Sequence, residues 1–224
     1  MIKGLIFDMD GTITLTEPLH YQAFAEVFKN YGISYSFNEH LKKYAATGSK
    51  NIFTKVFAEK GKLLDEKALQ QCMARKKELY TKFVQESEIV LVKGVSAFVQ
   101  RVVRAGLKKI IATGNSNLDV VRVILKKVGL IEYFPNIISN TEVAHGKPFP
   151  DVFLQAARRI GCEPAECIVF EDSINGVKAA FTAGIPCIAL KTTASKEELL
   201  SAGATKVVKD FTEVTDKMLQ TLSR

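Results

Sequence analysis

Two aspartates one residue apart, Asp8 and Asp10, close the apolar run Leu5-Ile6-Phe7 and are followed by Gly11 and Thr12. Burying a carboxylate is costly unless it is paired. Acids at the end of an apolar strand therefore belong in a crevice at the carboxyl edge of an open α/β sheet. Both can face one ligand only if the chain leaves strand geometry there, and Gly11 permits that. Three more pieces stand at loops that follow expected strands or precede expected helices: Thr113-Gly114-Asn115-Ser116, Lys147 in His145-Gly146-Lys147-Pro148, and Glu171-Asp172-Ser173. They bring carboxylates, a hydroxyl with neighbouring backbone N–H groups, and an ammonium to one sheet edge. Acids gathered in this way need a cation, and Mg²⁺ is the hard ion that takes carboxylate and phosphate oxygens together.

Plainer readings compete with this one. A Ca²⁺ loop of the EF-hand type wants a further Asp or Asn, then Gly, then a distant Glu, but Thr12, Ile13 and Leu19 fill those positions. An isolated Asp-x-Asp is more often a solvated turn. A receiver-type phosphorylation domain also puts acids after its first strand, but it is shorter and lacks a large insertion there. Singly, Thr113 reads as a strand-end hydroxyl, Lys147 as a solvated cation, and Glu171-Asp172 with Ser173 as a helix start favoured by the dipole. Jointly, in this order and at these junctions, they read as a site.

The elements that would position these residues follow from periodicity. Thr16-Glu17-Pro18 has the form of a helix start, with Thr16 as the N-cap. Leu19, Ala23, Val27 and Tyr31 then recur at helical spacing up to Gly32. Further helices are expected over 38–46, 50–60 and 64–86, with no strand between Ile13 and Ser87. Beyond that point strands at 109–113, 136–139, 167–170, 186–190 and 207–208 alternate with helices at 95–105, 117–128, 150–160, 174–183, 195–202 and 212–222. The alternation predicts an α/β doubly wound parallel sheet with helices on both faces. The expected division is a core of 1–15 and 88–224 and a helical insert of 16–87.

Composition limits the partners. The 224 residues carry a net charge of +7 and are 47% hydrophobic and 25% charged, ordinary for a globular protein. The basic residues are scattered, with no arginine-rich or aromatic-interleaved tract, so no nucleic-acid partner is expected. No segment reaches the length of a membrane span, and the N-terminal apolar run is too short for a signal sequence. Cys72, Cys162, Cys167 and Cys187 lack Cys-x-x-Cys spacing and read as reduced, buried thiols. A cytoplasmic monomer or weak oligomer acting on a small molecule is expected.

The four pieces, in order, resemble the four motifs of the haloacid dehalogenase superfamily, over essentially the whole chain. Glu17-Pro18-Leu19-His20, Gly146-Lys147-Pro148-Phe149-Pro150-Asp151 and Phe170-Glu171-Asp172-Ser173 are similar to the branch holding β-phosphoglucomutase and many small-molecule phosphatases. That resemblance implies a Rossmann-like core with the helical insert as a cap over the site, moving on hinges near 14–16 and 86–93. It implies that Asp8 attacks phosphorus and becomes an aspartyl-phosphate, while Asp10 acts as acid and then base. Thr113, with the N–H groups of Gly114 and Asn115, holds phosphoryl oxygens, and Lys147 neutralises charge. Mg²⁺ is implied on Asp8, the backbone carbonyl of Asp10, Asp172 and, directly or through water, Glu171. In the cap, His20 matches a position near the proton-transferring Asp. Lys76 falls on the inward stripe Leu69, Cys72, Tyr80 and Phe83 but also belongs to the basic run 75–77. The expected activity is Mg²⁺-dependent hydrolysis of a small phosphate monoester, with sugar or polyol phosphates as the expected class. The alternatives are a phosphomutase with the same intermediate and a non-catalytic phosphate-binding protein. The cap loop Thr47-Gly48-Ser49-Lys50-Asn51 lacks the arginine of the mutase, which favours hydrolysis.

Overall fold

The computed structural model describes residues 1–222 other than Tyr35, Ala46 and Ser116; the expectation for Ser116 lies outside the described residues. The chain divides into two compact units, Met1–Leu15 with Ile89–Arg224, and Thr16–Glu88.

The first strand, β1 (Gly4–Phe7), is buried at every residue and leads through Asp8–Leu15 out of the first unit. The chain re-enters beside its own exit. Leu15 N–H donates to Val90 O at 2.8 Å, Val92 N–H donates to Ile13 O at 3.0 Å, and Thr14 and Leu91 form an antiparallel bridge. An insertion between these points leaves the sheet's hydrogen bonding intact.

The inserted unit is helical throughout its regular structure among the described residues: α1 (Glu17–Lys29), α2 (Phe37–Lys43), α3 (Ser49–Glu59) and α4 (Glu66–Glu86). Its core is Phe24, Val27, Phe28, Tyr44, Ile52, Phe53, Val56, Phe57, Leu69 and Cys72, the apolar stripes of amphipathic helices turned toward each other. Ser36 caps α2 by accepting from Glu39 N–H at 3.1 Å, and Asp65 caps α4 by accepting from Ala68 N–H at 2.7 Å. The expected Thr16 side-chain cap does not form. Thr16 has a helical backbone (φ −98°, ψ −4°) and is fully buried, and its carbonyl, not its hydroxyl, accepts from Leu19 and His20. An N-cap side chain reaches back to the first turn from an extended backbone, which Thr16 lacks.

In the first unit α5 (Val95–Arg104), β2 (Lys108–Thr113), α6 (Leu118–Lys127), β3 (Ile137–Ser139), α7 (Asp151–Arg159), β4 (Cys167–Glu171), α8 (Ile174–Thr182), β5 (Cys187–Leu190), α9 (Lys196–Ser201), β6 (Lys206–Val208) and α10 (Asp216–Thr221) follow in turn. Among the described residues the strands make one parallel sheet of order β3-β2-β1-β4-β5-β6. The order reverses direction at β1, so the carboxyl end of β1 is the switch point where such sheets open a crevice. The period of two sends Phe7 to one face of the sheet, where it stacks on Phe170 (5.0 Å) and meets Phe134 (5.5 Å) edge-on. Ile6, Ala112 and Val169 face the other side and pack with the buried residues of α7 and α8. The single closing helix expected over 212–222 is two elements, a 3₁₀ turn at Phe211–Glu213 and α10. Asp210 accepts from Thr212 N–H at 2.9 Å and Thr215 accepts from Met218 N–H at 3.2 Å, so two caps break what periodicity alone joins. All four cysteines are free and buried.

Candidate active site

The register puts the sequence-selected residues on one edge. Phe7 pairs with Ile111 on one side and Phe170 on the other. The chain just beyond these residues carries Asp8, Thr113 and Glu171-Asp172. Asp8 continues the ladder for one more bond, donating its N–H to Phe170 O at 2.9 Å. Asp8, Thr113, Glu171 and Asp172 are all buried, and Asp10 is half-buried.

Lys147 arrives from the loop before α7. Its ammonium forms a very short contact with Asp8 Oδ1 and donates to Glu171 Oε1 at 2.7 Å and to Ala112 O at 3.1 Å. Three acceptors saturate its three protons. Burial pulls the Lys147 ammonium down, but Asp8 and Glu171 outweigh it and hold it above the ordinary lysine value. Burial pushes the Asp8 carboxyl up to about 8, against the pull of Lys147 and with help from the negative Glu171 and Asp10. Asp8 is thus a carboxylate that needs more positive charge than Lys147 supplies to stay ionised.

Asp8, Glu171 and Asp172 offer ligand oxygens that all lie within 4.8 Å of one another. That donor set suits a hard divalent cation such as Mg²⁺. Their engagements differ. Glu171 Oε2 accepts from the N–H groups of Asp172 and Ser173, both at 2.6 Å, and from the Ser173 hydroxyl at 3.0 Å, while Oε1 holds Lys147. Asp172 Oδ2 has the Thr193 hydroxyl in a very short contact and Thr192 Oγ1 at 3.3 Å, and Oδ1 has Thr12 Oγ1 at 3.5 Å. Both oxygens of Glu171 are engaged by protein donors, so Glu171 fits a ligand reached through water.

Two glycines make this packing possible. At Gly11, with φ +83°, a Cβ would lie 2.0 Å from Asp172 Oδ2. At Gly176, in the first turn of α8, a Cβ would lie 1.8 Å from Glu171 Oε1. In an ordinary helix Gly→Ala stabilises by about 1 kcal/mol. Gly176→Ala is expected to reverse that sign, because Glu171 is 1% exposed and has nowhere to move. Urea unfolding of the variant checks this; a stability gain would contradict the packing.

The loop after β2 is closely tied. Thr113 Oγ1 accepts from Asn115 N–H at 3.0 Å, and Asn115 Oδ1 accepts from Asn117 N–H at 3.0 Å. Asn140, which no motif singles out, lies between this loop and the lysine loop. A Cβ on Gly146 would meet its Nδ2 at 2.7 Å and one on Gly114 would meet it at 3.6 Å. Thr192 and Thr193 are also missed. They follow β5, and the strand-end logic used for the other strands applies equally to Leu190.

His20 and Lys76 belong to the helical unit and meet within it. Lys76 Nζ lies 2.8 Å from His20 Nδ1, and the His20 ring stacks on Tyr80 at 3.9 Å. Lys76 is 7% exposed, with its ammonium 4.7 Å from the Phe24 ring centroid and 4.9 Å from that of Tyr80. Of its two sequence readings, inward stripe and solvated basic run, the inward one holds. The aromatic faces and the imidazole supply the compensation that a buried ammonium requires.

A doubly wound parallel sheet with paired aspartates, a lysine and an acidic pair at the switch point defines a hydrolase-type α/β core. The haloacid dehalogenase-like hydrolase family model matches residues 2–184, and the chain belongs to that family. The fructose-1-phosphate phosphatase YqaB of Escherichia coli strain K12 is 34% identical over 189 residues, 83% of this chain and 94% of that one. A haloacid dehalogenase hydrolase of Entamoeba histolytica, described as family IA, variant 3, superposes with a TM-score of 0.87 at 28% identity, covering 99% of both chains. The β-phosphoglucomutase of Clostridium difficile shares the fold, with a TM-score of 0.84 at 23% identity, covering 100% of this chain and 97% of that one. No helix among the described residues is long and apolar enough to cross a membrane.

Proposed function

We propose that this chain hydrolyses a small phosphate monoester, with sugar or polyol phosphates as the substrate class, through an aspartyl-phosphate on Asp8. The observation that carries the reading is Asp8 itself, a buried carboxylate at the switch point held by Lys147, with Asp10 one residue away. The similarity to a fructose-1-phosphate phosphatase supports the sugar class.

In the first half, an Asp8 carboxylate oxygen forms a bond to phosphorus as the ester P–O bond breaks, and Asp10 gives its proton to the departing alcohol oxygen. In the second half, Asp10 takes a proton from water, the water oxygen bonds to phosphorus, and the P–O bond to Asp8 breaks. Inorganic phosphate leaves and the carboxylate returns. Lys147 fixes Asp8 and offsets negative charge, and Thr113 with the N–H groups of Gly114 and Asn115 receives phosphoryl oxygens. Mg²⁺ held by Asp8, the Asp10 carbonyl, Asp172 and, through water, Glu171 would supply the positive charge that lets an anionic carboxylate approach an anionic phosphate. The helical insert serves as the cap in this reading, and His20 and Lys76 bind the non-reacting part of the ester. Substituting either one is then expected to raise KM more than it lowers kcat.

The test is phosphate release from a panel of phosphorylated sugars and polyols, with and without Mg²⁺. Release that EDTA silences and Mg²⁺ restores is expected. Asp10→Asn should lower turnover by on the order of 10²–10⁴, the usual worth of a positioned acid and base. Full activity after thorough metal removal, or binding of phosphate esters without any turnover, would contradict the reading.

A further inference from the structure

The segment after β5 reaches the acidic edge with two adjacent hydroxyls. Thr192 Oγ1 lies 2.6 Å from Gly11 O and 3.3 Å from Asp172 Oδ2, and Thr193 Oγ1 makes a very short contact with the same Asp172 Oδ2. A hydroxyl has one proton. The shorter contact of Thr192 takes it to Gly11 O, so Thr193 is the donor to Asp172. Gly11 also lies against that oxygen, close enough that a Cβ there would stand 2.0 Å from it. Asp172 Oδ2 is thus enclosed, Oδ1 has Thr12 Oγ1 at 3.5 Å, and Asp172 belongs with Asp8 and Glu171 to the cluster whose ligand oxygens lie within 4.8 Å of one another. Both threonines are half-buried, so losing a hydroxyl leaves no large cavity.

We propose that Thr193, with Thr192 anchoring the Gly11 carbonyl, is a positioning residue that orients Asp172 so that Oδ1 alone faces the cation. This rests on the proposed metal role of Asp172 and adds a residue pair outside the motifs that suggested it. The physical reason is that a carboxylate ligand free to rotate must be ordered when the ion binds, whereas one already held by a hydroxyl has little left to lose. A bond to Oδ2 also disfavours chelation by both oxygens, which Mg²⁺, with its short octahedral contacts, accommodates poorly.

The experiment measures Mn²⁺ binding by electron paramagnetic resonance and Mg²⁺ binding by calorimetry, on the full chain without substrate. Thr193→Val is expected to bind about 10–100-fold more weakly, the usual effect of losing a bond that orients a metal ligand, and Thr193→Ser to bind like wild type. Thr193→Ala serves the same purpose as the valine variant should that one misfold, with folding followed by circular dichroism in EDTA. Wild-type affinity in a folded Thr193→Val or Thr193→Ala would overturn the inference while leaving the metal reading intact. A wild-type protein that binds neither ion would overturn both. Equal weakening in Thr193→Ser, which keeps the hydroxyl, would also overturn it.

Discussion

Asp8→Asn is expected to give a folded protein that releases phosphate from no ester, a loss on the order of 10⁴-fold or more in turnover, as for other enzymes that lose a nucleophile. Volume and hydrogen-bond shape are kept, so Lys147 still finds an acceptor, but an amide cannot become the covalent intermediate. The substitution has a second, opposite consequence. In the metal-free protein burial pushes Asp8 up to about 8, above the 3.8 of an ordinary aspartate. Between those values the folded chain holds a proton that the unfolded chain has released, so rising pH through that window works against folding. Asparagine has no such proton. In EDTA at pH 8, at the top of the window set by Asp8, the variant is expected to melt at or above the wild type, and the gap should close as pH falls. Thermal melts across that range check this, and a variant less stable than wild type at every pH would contradict the burial argument.

Lys147→Met keeps most of the volume and removes the charge that faces Asp8 and Glu171. Breaking a buried pair by deleting one partner typically costs about 3–5 kcal/mol, because the remaining charge is left uncompensated. A loss of that order is expected in EDTA on the alkaline side of the Asp8 value of about 8, by urea unfolding. It should be smaller in acid, where the carboxyls take protons instead of staying ionised and unpaired. Mg²⁺ should recover part of the loss, since it supplies positive charge to the same carboxylates and binds only the folded chain. Catalysis should not recover, because the group that fixes Asp8 is gone. A variant as stable as wild type under alkaline, metal-free conditions would contradict the contacts of Lys147.

The sheet was legible because its strands are short apolar runs separated by helical periodicity; its strand order was not, because order depends on pairing between strands that no single run encodes. Lys76 was ambiguous because a charged residue on an apolar stripe has two outcomes, and only the aromatic faces of Phe24 and Tyr80 and the ring of His20 decide between them. Thr16 misled because a hydroxyl before Glu-Pro has the form of a cap, whereas burial and backbone angle depend on packing that a local pattern does not encode. The closing helix misled for the converse reason: Asp210 and Thr215 are cap residues whose local bonds outcompete a continuous apolar period. At the site, each charged residue has a plainer use taken singly, and it was their joint order at successive junctions that singled out Asp8, Lys147, Glu171 and Asp172, which the structure brings together. Thr192, Thr193, Asn140 and Gly176 were not. They act through neutral hydrogen bonds or through the absence of a side chain, and such residues are common at turns and helix starts everywhere.

The covalent role of Asp8 can be tested without knowing the natural substrate. An activated phosphate donor such as acetyl phosphate has a leaving group that needs no proton, so the first half-reaction proceeds without Asp10, whereas the second half still requires a base for water. Asp10→Asn incubated with Mg²⁺ and acetyl phosphate, quenched in acid, digested and analysed by mass spectrometry is therefore expected to carry one phosphoryl group on the peptide containing Asp8, reducible by borohydride at that residue. The Asp8→Asn/Asp10→Asn double variant should carry none. A phosphoryl group on another residue, or hydrolysis by the wild type with no phosphorylated Asp8 peptide in the Asp10→Asn protein, would contradict the account.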